Sequence, residues 1–238
     1  MSLEGKKVII IGGSSGIGLS AAELALQKGA EVTIVSRSTK KLEQAAQTLQ
    51  GKVQIYSLDF TNEEEVKAFF AHIESVDHLV VTAAVTFGGS FLQTETKKVR
   101  ELFENKFWGQ YYAAKYGAEK LAQDGSITLF SGVVAYKSMI GSAALGAVNA
   151  AISNLGKTLA LELAPKRVNV VSPGIIDTPS RSKMDPESRE SFYSSIKEKL
   201  PVKKVGQSED VAKGVLYLIE NEFTTGTVLH VEGGHILI

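Results

Sequence analysis

Two short stretches hold the residues best suited to chemistry. Gly12-Gly13-Ser14-Ser15-Gly16-Ile17-Gly18 follows the first apolar run and opens a helix-length segment. Glycines at 12, 16 and 18 permit a tight turn, close approach of the backbone to a pyrophosphate, and close helix-on-sheet packing. The helix start adds N–H groups and the positive end of a dipole. The second stretch, Val35-Ser36-Arg37-Ser38, ends the second apolar run and contains no acid. An acidic residue there would bind the ribose 2′-hydroxyl of a dinucleotide, whereas a basic one accommodates a 2′-phosphate. The planar fork of Arg37 suits a phosphate, and hydroxyls flank it on both sides. Together the stretches predict NADP(H) in preference to NAD(H); the plainer alternative for Arg37 is a solvated loop charge. Asp59, which closes the third run, either accepts from an adenine amino group or caps the next helix.

These residues have to be carried by regular elements. Apolar runs at 8–11, 32–35, 53–58, 79–81, 127–130, 168–171 and 228–231 read as buried strands. Helix-length segments lie between them, such as 18–28, 40–50 and 63–73, and Thr61 with Glu64 reads as a capping box for the third. Seven strands alternating with helices predict an α/β fold, a doubly wound, mostly parallel sheet with helices on both faces. A polar interruption at 178–204 predicts a mobile flap with a short helix over the substrate. No linker or repeat divides the chain, so 1–238 reads as a single domain.

Composition narrows the function classes. The 238 residues are 44% hydrophobic and 22% charged, with 26 basic and 26 acidic side chains. Such a balance gives no reason to expect nucleic acid or anionic lipid as partners. The absence of cysteine excludes disulfides, thiolate catalysis and Cys-bound zinc, and the four histidines show no metal spacing. The segment 139–156 is uncharged, but Asn149 and Asn154 suit a closely packed buried helix better than a membrane span. The N-terminus shows no secretory signal pattern, and the cytoplasm is the expected location.

The order of these features resembles the short-chain dehydrogenase/reductase family over essentially the whole chain. The likeness rests on the glycine loop, Asp59-Phe60, Asn105 in Glu104-Asn105-Lys106-Phe107-Trp108-Gly109, the stretch Asn169-Val170-Val171-Ser172-Pro173-Gly174-Ile175-Ile176-Asp177-Thr178, and Thr225-Gly226-Thr227-Val228-Leu229-His230-Val231-Glu232-Gly233-Gly234. The resemblance implies that Pro173, Gly174, Ile176 and Thr178 line a nicotinamide. It also implies that small residues at Ala83 and Ala84 admit a ribose, and that Asn105 keeps a catalytic position. Family enzymes use a Ser at the end of the fifth strand, a Tyr in the following helix, and a Lys one turn later.

At those positions this chain carries Gly132, Leu145 and Asn149. Ser131 stands one place early and is expected to point to the opposite face. A free phenol titrates near 10, so a family tyrosine needs its cation to exchange protons at neutral pH. Tyr-x-x-x-Lys recurs at Tyr111/Lys115 and Tyr193/Lys197, but roughly one chance match is expected. Tyr136, Lys137 and Ser138 are the other polar groups near the expected pocket. Ile11 replaces a usual Thr and Thr82 a usual Asn, so the bracing of the central sheet is also altered.

Two functions remain open on this reading. One is an NADP(H)-dependent oxidoreductase acting on a small carbonyl or hydroxyl substrate with an altered proton donor. The other is a catalytically silent NADP(H)-binding subunit or sensor, in which the Asn149 amide holds the ribose hydroxyls. In either case the small, uncharged start of the helix near Ser142 predicts a homodimer or homotetramer.

Overall fold

Runs such as Val8-Ile9-Ile10-Ile11 show no polar alternation, so both faces of each strand must be covered. The computed structural model describes residues 2–83, 86–182 and 184–238 and builds that arrangement. In chain order the elements are β1 (Lys7–Ile11), α1 (Gly16–Gln27), β2 (Glu31–Ser36), α2 (Thr39–Thr48), β3 (Val53–Ser57), α3 (Glu63–Ala71) and β4 (Val76–Val81). There follow α4 (Thr96–Phe103), a wide π-turn (Glu104–Trp108), α5 (Gly109–Ala118), β5 (Leu121–Phe130) and α6 (Ala143–Glu162). The chain ends with β6 (Arg167–Pro173), β7 (Ile176–Asp177), α7 (Pro186–Lys199), β8 (Gly206–Gln207), α8 (Ser208–Glu220) and β9 (Val228–Val231).

Seven strands form one parallel sheet in the order β3-β2-β1-β4-β5-β6-β9, and β7 pairs with β8 apart from it. Ile9, Leu79, Ile127 and Leu129 pack with Phe69 and Phe70 on one face. Ile10, Val32 and Ile34 pack with Leu42, Val215 and Leu218 on the other. Truncating one such side chain to alanine typically costs about 2–5 kcal/mol, which sets the scale on which the layers are held. The strand order reverses between β1 and β4, and a crevice opens there at the carboxyl ends of the strands.

The expected strands are present but longer. β5 begins at Leu121, because Asp124 and Gly125 hide its first half from a hydropathy reading. The capping box is corrected: Asn62, not Thr61, caps α3 by accepting from the N–H groups of Glu64 and Glu65 at 3.1 and 3.4 Å. Thr61 instead donates its hydroxyl to Asp59 Oδ1 at 2.8 Å. Within 178–204, α7 spans 14 residues, more than a short helix, and is anchored by buried Tyr193 and Leu200. The uncharged segment 139–156 supplies the first half of α6. A β-carbon on its Gly156 would meet Val170 at 2.3 Å, so the helix lies tight on β6. Among the described residues no helix is long and apolar enough to cross a membrane.

Candidate active site

A cleft of about 430 Å³ lies at the β1/β4 switch point. Gly12 has φ +93, and a β-carbon there would lie 2.5 Å from Thr82 Oγ1 and 2.6 Å from Ala83 N. A β-carbon on Gly18 would lie 2.3 Å from Gly12 O, so neither position admits a side chain. The loop is thereby drawn against the sheet, and Ser14, Ser15, Gly16 and Ile17 border the cleft at the open N-terminus of α1. The first N–H groups of a helix lack carbonyl partners within it, which makes this wall an anion cradle. Thr82 braces the same corner by donating to Ile11 O at 3.2 Å. Ala83 borders the cleft, while Ala84 lies outside the described residues.

The outer end is set by β2. Arg37 borders the cleft, is exposed, and forms no ion pair with a described residue. The Ser36 hydroxyl also faces the cleft, buried and without a hydrogen-bond partner. Ser38 has a different task, accepting from Lys41 N at 3.3 Å as the cap of α2. Asp59 is likewise engaged locally, with Oδ1 accepting from the N–H and hydroxyl of Thr61 at 3.1 and 2.8 Å. Its neighbours Leu58 and Phe60, rather than Asp59, line the cleft.

At the inner end the structure brings Gly132, Leu145 and Asn149 together with Pro173, Gly174, Ile176 and Thr178. β5 ends at Phe130, which corrects the expectation that Ser131 would point away from α6. With the strand finished, the Ser131 hydroxyl turns to α6 and donates to Asn149 O at 2.8 Å. Ser153 completes the cluster by donating to Ser131 Oγ at 2.8 Å. The Asn149 side chain is 2% exposed, and its Oδ1 has no partner.

Lys106 enters this cluster from the π-turn. It is 5% exposed, borders the cleft, and donates from Nζ to Ser131 O at 3.1 Å. Burial alone pushes its ammonium down to about 8. Gln110, one turn on and fully buried, bonds both backbone groups of Phe130, accepting from its N–H at 2.7 Å and donating to its carbonyl at 2.9 Å. Wide turns of this kind often mark functional sites.

Asn105 lies elsewhere. Its Nδ2 donates back to Glu101 O at 2.8 Å, and it borders a separate groove beside Phe87 and Leu102. Nor do the tyrosines reach the cleft among its described lining. Tyr111 belongs to an aromatic cluster with Phe107, Trp108 and Tyr112, and Tyr136 packs edge-on to His230. Tyr193 donates to Asp177 Oδ1 at 3.0 Å, and burial, with Asp177, pushes its phenol up.

The charged groups that line the cleft are Arg37, Lys106 and Arg181, with no described carboxylate, imidazole or phenol among its walls. Such a surface suits an anionic ligand. Among the described residues no group of three or more His, Cys, Asp or Glu side chains is placed to hold a metal. Reading the sequence for the glycine loop and Arg37 found the outer cleft but missed Lys106, Gln110 and Arg181. A signal for the first two exists: Leu102, Lys106, Gln110 and Ala113 follow a helical spacing, placing two polar residues on a buried stripe.

A protein-family model described as Enoyl-(Acyl carrier protein) reductase matches residues 12–235. Carbonyl reductase family member 4 of Xenopus laevis is 32% identical over 237 residues, spanning 96% of this chain and 97% of its own. A 3-oxoacyl-(acyl-carrier-protein) reductase of Mus musculus is 30% identical over 236 residues, with the same 96% and 97% coverage. Among solved structures, a small-chain dehydrogenase in complex with NADPH aligns with TM-score 0.87 and 35% identity, covering 99% of this chain and 100% of that one. ElxO with NADP bound aligns with TM-score 0.90 and 29% identity, covering 98% and 100%.

Proposed function

The chain belongs to the short-chain dehydrogenase/reductase family, and we propose that it is an NADP(H)-dependent reductase of a small carbonyl compound that works without the family's Ser-Tyr-Lys triad. The observation that carries this reading is the cleft itself: an anion cradle and three cations, with no described carboxylate to oppose a phosphorylated ligand. NADP-bound relatives of the same fold support the choice of cofactor.

The residues present fit that group. The space kept open by Gly12 and Gly18 admits a pyrophosphate, and the first N–H groups of α1 face it. Arg37 and Ser36 provide a free guanidinium and an unpartnered hydroxyl for a 2′-phosphate. Asn149 Oδ1, buried and unpartnered, suits a ribose hydroxyl. Pro173, Gly174, Ile176 and Thr178 would flank the nicotinamide. When bound, the reduced cofactor supplies a hydride.

The chain's own part is to hold the carbonyl over that face and to manage the oxygen's charge. Leu145 and Gly132 give the carbonyl pocket an apolar wall, which excludes water and strengthens electrostatics inside it. General acid catalysis is worth roughly 10²–10⁴ in rate, so a triad-free site needs either another proton source or an activated substrate. The test pairs NADPH and NADH titration with NADPH consumption against a panel of ketones, aldehydes and quinones. Turnover with a preference for NADPH is the expected result. Tight NADPH binding with no turnover on any member would replace the reductase by a silent binding subunit.

A further inference from the structure

On the reading of this cleft as a carbonyl reductase site, we propose that the ammonium of Lys106 donates the proton taken up by the substrate oxygen. The chemical choice among the cleft's described walls is narrow. Arg37 and Arg181 do not release protons at working pH, and no described phenol, imidazole or carboxylate is present. Lys106 is the remaining group that exchanges a proton. It lies where the cleft meets Ser131, beside Gly132 and Leu145, at the end of β5 where this family handles the carbonyl oxygen.

Its surroundings suit the task. Ser131 O is its one described acceptor, so two N–H groups of the ammonium have no protein partner. The side chains facing it from β5 and α6, Ser131, Gly132, Leu145, Asn149 and Ser153, are uncharged, and so are Leu102 and Gln110 on its own helical stripe. Glu101 and Glu104 nearby in the chain are exposed, and no charge contributes to its titration, which burial alone brings toward neutrality. A buried cation without a carboxylate is expensive, and an apolar side chain of similar length would pack there at lower cost. Groups held at such expense in a cleft are those a reaction requires.

The step balances as follows. The carbonyl carbon gains a hydride from the reduced nicotinamide, which becomes the oxidised cofactor, and the C=O π pair moves to oxygen. The oxygen then bonds a proton from Nζ, the N–H bond breaks, and the neutral amine left behind is reprotonated from solvent.

The full-length protein is titrated with NADPH by fluorescence and assayed on trifluoroacetophenone and phenanthrenequinone. Lys106→Met should bind NADPH within about threefold of the unmodified protein. It should lose about 10²-fold or more in kcat on the ketone. The quinone, whose reduced form is a weakly basic phenolate, should lose much less. In the unmodified protein kcat on the ketone should fall as pH rises through the Lys106 titration, and that limb should vanish in the variant. An unchanged ketone kcat in Lys106→Met would overturn the assignment alone, as would a variant whose whole deficit lies in NADPH affinity. NADPH binding without ketone reduction by the unmodified protein would overturn the reductase reading and the donor with it. A measurement free of turnover is competitive acetylation with acetic anhydride, read by peptide mass spectrometry. Lys106 should half-react near pH 8 in the free protein and be protected by NADPH. Reaction in the ordinary lysine range, or no protection, would overturn the proposal.

Discussion

Gly132 and Asn149 claim the same space: a β-carbon on Gly132 would lie 2.8 Å from Asn149 Nδ2. The φ of 170 at Gly132 is ordinary extended backbone, so the glycine is demanded by its neighbour and not by its own conformation. The two positions are therefore one unit. A residue larger than glycine at 132 must displace an amide that is 2% exposed and has few places to go.

This coupling is measurable in NADPH affinity. Gly132→Ala should weaken binding by pushing the amide aside, and Asn149→Ala should weaken it by removing Oδ1. The double variant should lose less than the sum, with a coupling of about 0.5–3 kcal/mol in a double-mutant cycle. Strictly additive losses would show that the two side chains act separately.

Arg37 should decide between the two nicotinamide cofactors. Charge-assisted hydrogen bonds contribute about 1.5–3 kcal/mol, or roughly ten- to over a hundred-fold in affinity. Arg37→Asp should erase or invert the preference for NADPH in paired titrations. Equal affinity of the unmodified protein for NADPH and NADH would remove the 2′-phosphate from the reading.

Lys106 also predicts a pH-dependent stability difference. Its folded value, about 8, lies below its ordinary 10.5. Below pH 8 both states carry the charge, and the fold bears the full cost of burying it. As pH rises from 8 toward 10.5, the folded state sheds the proton first and that cost is relieved. Lys106→Met should accordingly raise Tm at pH 7, with the gain shrinking as pH approaches 10. A variant that is less stable at pH 7 would mean that the bond to Ser131 O outweighs the buried charge.

The outer face of α6 should hold two copies together. Ala143, Ala147 and Ala150 are exposed along it, and Leu161 is 82% exposed farther on. An isologous contact would bury this small, apolar face. Light scattering should report a dimer or tetramer at micromolar concentration, and Ala147→Arg should shift it toward monomer. A monomeric unmodified protein would leave the face unexplained.

What the sequence disclosed, and what it concealed, follows from how local each signal is. The glycine loop, the seven strands and Arg37 rest on short patterns with one physical meaning each, and they emerged as expected. Ser38 and Asp59 carry side chains that serve a cofactor or a helix start equally well. The nearer backbone N–H groups won in both cases. Asn62 took the cap from Thr61 for the same reason, being one residue closer to the first turn. Lys106 was concealed differently. Charge normally marks the solvent side of a helix, and only the fold shows that 102, 106, 110 and 113 form a buried stripe.

Gln110 has a bearing on how this scaffold tolerates change. Thr128 is in register with Val80 of β4, and by alternation the backbone groups of Phe130 face the same side, just past the end of β4. A peptide unit of a longer β4 would ordinarily bind them; here the Gln110 amide does, offering one donor and one acceptor. A helix side chain thus acts as a splint for the tip of β5. The segment that follows β4 is relieved of that duty and can vary in length and composition, as substrate-facing loops do between relatives. The positions of Ser131 and Gly132 are meanwhile tied to a rigid helix. Variation is free at the rim, and alignment is inherited from within.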